Sequence, residues 1–423
     1  MINTRKENPY WEPSRKGFIT NYPNFLHWKK LDVDEMQSDR PLNLYVHSPF
    51  CAQRCSYCYY RTITGSRKSE VDRYVDALCR EITLANERFG LNKRPINSVY
   101  FGGGTPTLLA GDNLKQITDT LRQHFNLDNA EFTVEGEPVT LTEKKAEILK
   151  ELGVNRISLG VQSLSDDIIK LSNRQDTEAK VLRAIEFAKS TGAVVNIDLM
   201  SGLAGEKPET WEYSVNRALE TGVHSITVYK MELYTNTQYF IEVRNDTLQL
   251  PSDEQELSFM QYALDKFEAA EYRPWSFFTF TKEGRYTHVH APSIWRGDDC
   301  FSFGTSAFGR LGDWVYQNSN DADKYIEMLE AGELPINRGH HLTALDQMIR
   351  DVVLGIKLIH LDLSAFQKKH GFKLNSLCGA EIETLKNDGY ITVSENEIVL
   401  TPKGILHGDY VGKSLGKRLA EMY

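Results

Sequence analysis

Short apolar, β-branched runs recur through the first half of the chain: LNLYVHS (42–48), INSVYFGGG (96–104), AEFTVEGE (130–137), RISLGVQS (156–163), VVNIDLMSG (194–202) and SITVYKMEL (225–233). Between them lie stretches that read as helices, among them EVDRYVDALCREITLANERF (70–89), NLKQITDTLRQHF (113–125) and AKVLRAIEFAKSTG (179–192). Strands alternating with helices predict βαβ units and a parallel sheet, hence an α/β fold. Six such units in about 200 residues predict a partial (β/α)6 barrel.

The polar residues of these units collect at one place, the C-terminal end of each apolar run. Gly102–Thr105 follow the second, Glu135 and Glu137 close the third, and Gln162, Asp198 and Glu232 mark the fourth, fifth and sixth. In parallel barrels that rim binds ligands. Any one of these residues is also an ordinary loop start; together they predict a site on the rim.

The flanks differ in texture. Residues 1–40 form an arm rich in aromatics and prolines (Tyr10, Trp11, Pro13, Phe18, Tyr22, Pro23, Phe25, Trp28), expected to strap over the main domain. The barrel is expected over 41–310 and a C-terminal helical lid over 311–423. Within the latter, LTALDQMIRDVVLGIKL (342–358) reads as an amphipathic helix and YITVSENEIVL (390–400) as a hairpin, an order that resembles a winged helix. DNA binding is not expected of it, because residues 381–423 hold seven acidic and five basic side chains.

Composition narrows the setting. The 423 residues are 41% hydrophobic and 25% charged with a net charge of −9, which argues against a nucleic-acid partner. No run approaches the roughly 20 apolar residues that span a bilayer, and the charged, proline-bearing N-terminus lacks the apolar core of a signal peptide. Cys79, Cys300 and Cys378 are scattered singly, so no disulfide framework is visible and a cytoplasmic location is expected.

The other three cysteines fall within eight residues, in CAQRCSYCYY (51–60). Three thiolates on one loop suit three irons of a [4Fe–4S] cube, leaving the fourth iron open to a chelating ligand. A zinc site would need a fourth ligand, with His47 a candidate, and a different cysteine spacing.

YVHSPFCAQRCSYCYY resembles the signature of the radical S-adenosylmethionine (radical SAM) superfamily, and the chain from 41 to 423 resembles oxygen-independent coproporphyrinogen III oxidase and its relatives. The resemblance implies that Cys51, Cys55 and Cys58 hold the cluster, with Tyr57 packed beside it. It implies that Tyr45, Gly103 and Glu135 contact the S-adenosylmethionine on the open iron. Gly104, Thr105, Gln162, Arg174 and Asp198, with Phe308, match positions that contact a second S-adenosylmethionine. Taken alone, Arg174 would read as a surface ion pair with Asp166 or Asp167.

The match departs from the oxidase proper at three places: Tyr60 stands where a further cysteine is usual, Glu232 where a small residue is, and GLAGE (202–206) replaces GLP. Relatives with such departures include methyl- and methylene-transferring enzymes that use the second S-adenosylmethionine as donor, and heme chaperones. The resemblance thus implies a methyl or methylene transferase, or an oxidoreductase, acting on a small conjugated or aromatic substrate. Glu232, His47 and Glu137 are the candidate proton-handling catalytic residues. An electron donor such as flavodoxin or ferredoxin is implied, and a monomer is expected. In a chaperone, His288 or His290 of HVHAPSIWRGDDC (288–300) would ligate heme iron.

Overall fold

The computed structural model describes residues 19–31 and 33–422. Tyr10, Trp11, Pro13 and Phe18 of the arm lie outside them.

All six strands read from the sequence are present: β1 (Leu42–Ser48), β2 (Ile96–Gly103), β3 (Glu131–Gly136), β4 (Arg156–Gln162), β5 (Val194–Ser201) and β6 (Ser225–Lys230). They pair in parallel in sequence order. They alternate: one face is apolar and packs under the helices, and the other carries Asn43, Ser98, Thr133, Ser158, Asn196 and Thr227 into the barrel. Leu42, Leu44, Val99, Ile157, Val195 and Ile226 are fully buried.

The helix Lys68–Phe89 between β1 and β2 shows how such a unit is specified. Its apolar residues Tyr74, Val75, Leu78, Ile82 and Ala85 recur at helical spacing and are buried, and Gly90 ends it at φ 59°. Glu81, on the same buried face, accepts from Gly304 N–H at 2.7 Å, Asn318 Nδ2 at 2.7 Å and Tyr325 O–H at 2.5 Å. That network fastens the later strands to the first helix.

The sheet is wider than the alternating pattern predicts. On one edge β7 (Tyr272–Pro274) and β8 (Thr279–Lys282) add antiparallel beyond β6. On the other, β9 (Asp299–Phe303) pairs in parallel with β1, followed by antiparallel β10 (Phe308–Leu311), β11 (Trp314–Asn318) and β12 (Ile336–His341). The result is one mixed twelve-stranded sheet. Residues 311–341, placed by sequence in the C-terminal part, thus extend the main sheet.

Beyond them the helix Ala344–Gly355 leads into a three-stranded antiparallel sheet of β13 (His360–Asp362), β14 (Ile391–Val393) and β15 (Glu397–Leu400) with helices around it. The expected hairpin is β14–β15. Val352, Val353, Ile356, Leu374, Ile398, Val411 and Leu415 give this part its own core.

The described part of the arm does strap the molecule. Lys29 exchanges backbone hydrogen bonds with Gly339 of β12 at 2.8 and 2.7 Å. Trp28 is buried against Val315 and Leu342, and Tyr22 and Ile19 join the C-terminal core. Asp409 ties three segments together: its Oδ2 accepts from Ile19 N–H at 2.6 Å and its Oδ1 from the Lys357 ammonium at 2.5 Å. Among the described residues no helix is long and apolar enough to cross a membrane.

Candidate active site

The loop after β1 leaves the barrel rim and carries the three thiols. Cys51 and Cys55 are buried and Cys58 half-buried. Cys58 N–H donates to the Cys55 carbonyl at 3.1 Å, a tight turn that keeps the last two close. The three face a cavity of about 430 Å³ at the C-terminal ends of the strands.

Each neighbour of the thiols is small or donates to them. Thr105 Oγ1 donates to Cys51 Sγ at 3.5 Å and Arg174 Nη1 to Cys55 Sγ at 3.6 Å. A Cβ on Gly104 would lie 2.9 Å from Cys51 Sγ and 2.7 Å from the Phe50 carbonyl, so the close approach depends on glycine. Burial pushes the Cys51 thiol up to about 12 and raises Cys55 and Cys58 as well. Burial keeps the three thiols protonated, and a bound metal would supply the charge that lets them ionise. Among the described residues no three His, Cys, Asp or Glu side chains, the three thiols included, converge on a single point as one bound metal ion needs.

On the adjoining wall, Glu135 is gripped at both oxygens, by Tyr100 O–H at 2.6 Å and Gly103 N–H at 3.1 Å. Gly103 has φ 109°, and a Cβ there would meet the His47 ring at 2.6 Å. Tyr45 stacks on Tyr100 with centroids 6.0 Å apart and meets His47 Nδ1 through its hydroxyl at 3.1 Å.

Across the cavity, Arg174 is buried and crowded with partners. Its Nε donates to Asp176 Oδ2 at 2.9 Å, its Nη2 to the Gly160 carbonyl at 2.7 Å and its Nη1 to Tyr57 Oη at 3.1 Å, and Glu137 Oε1 lies 3.7 Å from Nη1. The surface pair with Asp166 or Asp167 is not formed; Asp166 accepts instead from Glu178 N–H at 2.7 Å. Burial is the reason: the residues after β4 turn Arg174 inward under the cysteine loop.

Asp198 lines the cavity, accepting from Asn196 Nδ2 at 2.8 Å and Ser158 Oγ at 3.3 Å. Burial first, then the Glu135 carboxyl, pushes it up to about 7. Gln162 is in the left-handed region at φ 67° and its buried Oε1 has no hydrogen-bond partner, so it is an open acceptor on the cavity wall. Glu137 and Glu232 also line the cavity.

Three expected site residues stand outside the lining. His47 is buried behind Tyr45 and Gly103, where desolvation lowers it to about 4 and leaves it neutral. Thr105 is buried behind Cys51 and touches the site through that thiol and through the Glu137 carboxylate. Phe308, the first residue of β10, is 40% exposed and stacks on Phe25 of the arm with centroids 4.9 Å apart. His290 is buried with Nδ1 2.7 Å from Ser98 Oγ, and His288 stacks on Trp275 at 5.0 Å; neither lines the cavity. Trp275 stands with them, outside the lining.

What the sequence pattern missed is the mouth. Ile405–Asp409, the end of the short helix Pro402–Leu406 and the turn after it, and Thr20 of the arm line the cavity there, as do Met200, Met231 and Met260. Nothing in the linear pattern singles these residues out.

Residues 45–218 match the Radical SAM superfamily and residues 342–407 the HemN C-terminal domain. The chain is 30% identical over 378 residues to the heme chaperone HemW of Bacillus subtilis (strain 168), covering 88% of this chain and 99% of that protein. It is 28% identical over 400 residues to oxygen-independent coproporphyrinogen III oxidase of Pseudomonas aeruginosa, covering 88% and 85%. Coproporphyrinogen III oxidase (HemN) from Escherichia coli superposes with a TM-score of 0.82 at 25% identity, over 96% of this chain and 97% of that one. The superfamily's cofactors are a [4Fe–4S] cluster and S-adenosylmethionine, and three thiols beside a glycine-floored, carboxylate-bearing cavity suit both. This chain belongs to the radical SAM superfamily, in the group that includes oxygen-independent coproporphyrinogen III oxidase and the heme chaperone HemW.

Proposed function

We propose that the protein is an enzyme that cleaves S-adenosylmethionine reductively and directs the resulting radical at a flat, porphyrin-type conjugated substrate. The observation that carries this reading is the convergence of Cys51, Cys55 and Cys58 with Gly103, Glu135 and Tyr45 on one rim cavity. When bound, the reduced cluster supplies the electron that breaks the sulfonium into methionine and a 5′-deoxyadenosyl radical.

The chain's residues have separable tasks in this reading. The cysteines hold the cluster, and Thr105 and Arg174 donate to two of their sulfurs. Glu135 and the Gly103 backbone hold the first S-adenosylmethionine, with Tyr45 and Tyr57 framing it. Gln162 and Asp198, on the opposite wall, receive the second. Tyr60, Tyr229, Phe277 and Phe278 give the substrate aromatic walls, and Ile405–Asp409 close the mouth and exclude water. Glu137 and Glu232 are the proton-handling groups facing the cavity; buried, neutral His47 steadies Tyr45 instead.

Within this reading the second S-adenosylmethionine is the methyl or methylene donor to an sp2 carbon of the substrate. The presence of Tyr60 and Glu232 in the cavity wall supports transfer over plain oxidation; the names of the relatives support the porphyrin class of substrate and not the transfer step.

The test is anaerobic reconstitution with iron and sulfide, then dithionite and S-adenosylmethionine with or without a porphyrin. Deoxyadenosine together with S-adenosylhomocysteine is the expected outcome. Deoxyadenosine alone, with an oxidised porphyrin, moves the assignment to oxidation. An Asp198→Asn variant is expected to keep deoxyadenosine and lose most of the homocysteine product. Heme binding without any cleavage supports a chaperone, the reading favoured by the 30% identity to HemW.

A further inference from the structure

A second cavity, of about 1240 Å³, lies between Pro274–Trp275, the helix His290–Arg296 and the C-terminal part. It shares no lining residue with the cavity of the thiols. One wall is aromatic: Trp275 packs on His288 with centroids 5.0 Å apart and lies 6.2 Å from Trp295.

The nitrogens of that wall are left without acceptors. Trp275 Nε1 and His288 Nε2 are buried and have no hydrogen-bond partner among the described residues. Arg156 donates through Nη2 to the carbonyl of Thr287, which lines the cavity, at 2.9 Å, and its buried Nη1 has no hydrogen-bond partner among them either. Folded proteins pair nearly all such groups, so several together mark a place where something else bonds. Burial first, then the Arg156 charge, holds His288 well below its ordinary value, so its ring is neutral and Nε2 can donate or accept.

The rim narrows the chemistry of that occupant. Asp362 and Glu397 stand exposed on it, against the guanidinium of Arg296, while Lys369 is paired with Asp351 at 2.6 Å. Carboxylates accept from hydroxyls and repel anions. The occupant is therefore flat enough to lie on indoles, carries ring nitrogens for the N–H groups of Trp275 and Arg156, presents hydroxyls and brings no negative charge. An adenine nucleoside has all four properties, and the volume admits it together with water. A nucleotide or a carboxylate-bearing macrocycle would set anions against the rim.

We propose that this cavity is a second ligand site, which binds a neutral adenine nucleoside with its base against Trp275 and Trp295 and its ribose at the Asp362–Glu397 rim. The source of the nucleoside rests on the radical SAM reading: reductive cleavage releases 5′-deoxyadenosine, a molecule of this class. Residues of β13 and of the helix Leu363–His370 belong to the wall, so the occupant bridges the barrel and the C-terminal part. Ile405–Asp409 of that same part line the first cavity, which places released product where it touches a border of its own site.

The experiment is calorimetry on the full, cluster-loaded chain without reductant, titrated with adenosine, 5′-deoxyadenosine, AMP and hemin. Both nucleosides are expected to bind with a Kd of about 1 mM or tighter, one per chain. AMP is expected to bind about tenfold or more weakly, because its phosphate meets the acidic rim. Trp275→Phe keeps a ring and removes the N–H, and should weaken 5′-deoxyadenosine about fivefold. His288→Leu should do the same, and His288→Gln, whose amide restores a hydrogen bond, should recover most of the loss. Iron content and thermal melts certify that the variants fold.

No saturable nucleoside binding overturns the proposal, as does AMP binding as tightly as adenosine. Nucleoside binding that survives Trp275→Phe and is lost in Asp198→Asn would place the ligand in the first cavity instead, which overturns it too. Hemin displacing the nucleoside at equal concentration would overturn the neutral-ligand assignment, and adenosine preferred by more than about tenfold would overturn the product as occupant. If wild type fails to cleave S-adenosylmethionine with dithionite, the catalytic reading and the source of the nucleoside fall. The adenosine and AMP titrations still judge the second site in that case.

Discussion

The guanidinium of Arg174 lies 3.6 Å from the Cys55 sulfur and 2.7 Å from the Asp176 carboxylate, joining a cluster-ligand position to a buried acid through one side chain. That contact changes what the arginine is expected to do. As a residue for the second S-adenosylmethionine alone, it would leave cluster assembly untouched. Placed as it is, its loss strands Asp176 and Glu137 in the interior and withdraws a donor from the thiolate. Arg174→Ala is expected to cost about 3–5 kcal/mol in urea unfolding, the usual penalty for breaking one side of a buried ion pair. It should also lower the iron bound per chain, measured after reconstitution.

Gly104→Ala tests the close approach at Cys51. With no room for a Cβ between the Phe50 carbonyl and the Cys51 sulfur, the loop must shift. The expected result is a soluble protein with impaired iron retention and cleavage reduced by at least about tenfold, since small displacements of reacting groups are costly. Iron content and deoxyadenosine yield together check it; a fully loaded, active Gly104→Ala protein would show that the loop accommodates the methyl group.

Glu206 provides a pH test on a carboxyl outside the cavity lining. It is buried, accepts from Gly202 N–H at 2.6 Å, and burial pushes it up to about 8 from the ordinary carboxyl range. A carboxyl with a raised folded-state value is stabilising to neither state below about pH 4, where both forms are protonated. Stability then falls as pH rises towards 8, because the unfolded chain ionises first. Glu206→Gln should flatten that decline and stabilise the protein at pH 8 by up to a few kcal/mol. Thermal melts of both proteins from pH 5 to pH 8 decide the matter: parallel curves would mean that Glu206 ionises normally.

Phe308→Ala separates the site from the strap. Because the ring stacks on Phe25 and meets Trp28 edge-on at 5.9 Å, its removal should loosen the arm and cost about 1–2 kcal/mol, within the range for partly buried aromatic contacts. S-adenosylmethionine cleavage should stay at the wild-type level. Faster proteolysis near residue 25 with unchanged deoxyadenosine yield is the expected pair of results.

The parts legible in the sequence were those with a period. Six strands and their helices were visible because alternating βαβ units print apolar runs at regular intervals, and their polar ends gave Glu135, Gln162 and Asp198. β9 was missed as a strand: DCFSF is five residues long and carries polar side chains that bond inside the sheet. Asp299, for one, is buried against Arg94 at 2.5 Å. β7 and β8 are shorter still. Phe308 stands outside the cavity lining because one residue of register decides to which face of a strand a ring points. His290 reads as a free ligand in sequence and is a hydrogen-bonded core residue in the fold, since the Ser98 that holds it is 192 positions away. Arg174 and Asp176 are two residues apart, yet nothing in the linear pattern says that both turn inward.

The Asp409 tie has a consequence for how the cavity opens. One carboxylate holds the amide of Ile19 and the ammonium of Lys357, so the entrance is a stitch through residues from both ends of the chain. Freeing this part of the cavity wall requires only the fraying of a few backbone bonds around residues 19 and 405–409, a local opening rather than global unfolding. The exchange rate of a single amide hydrogen, that of Ile19, becomes a clock for the gate, and extensions fused at either end of the chain inherit a mechanical hold on turnover.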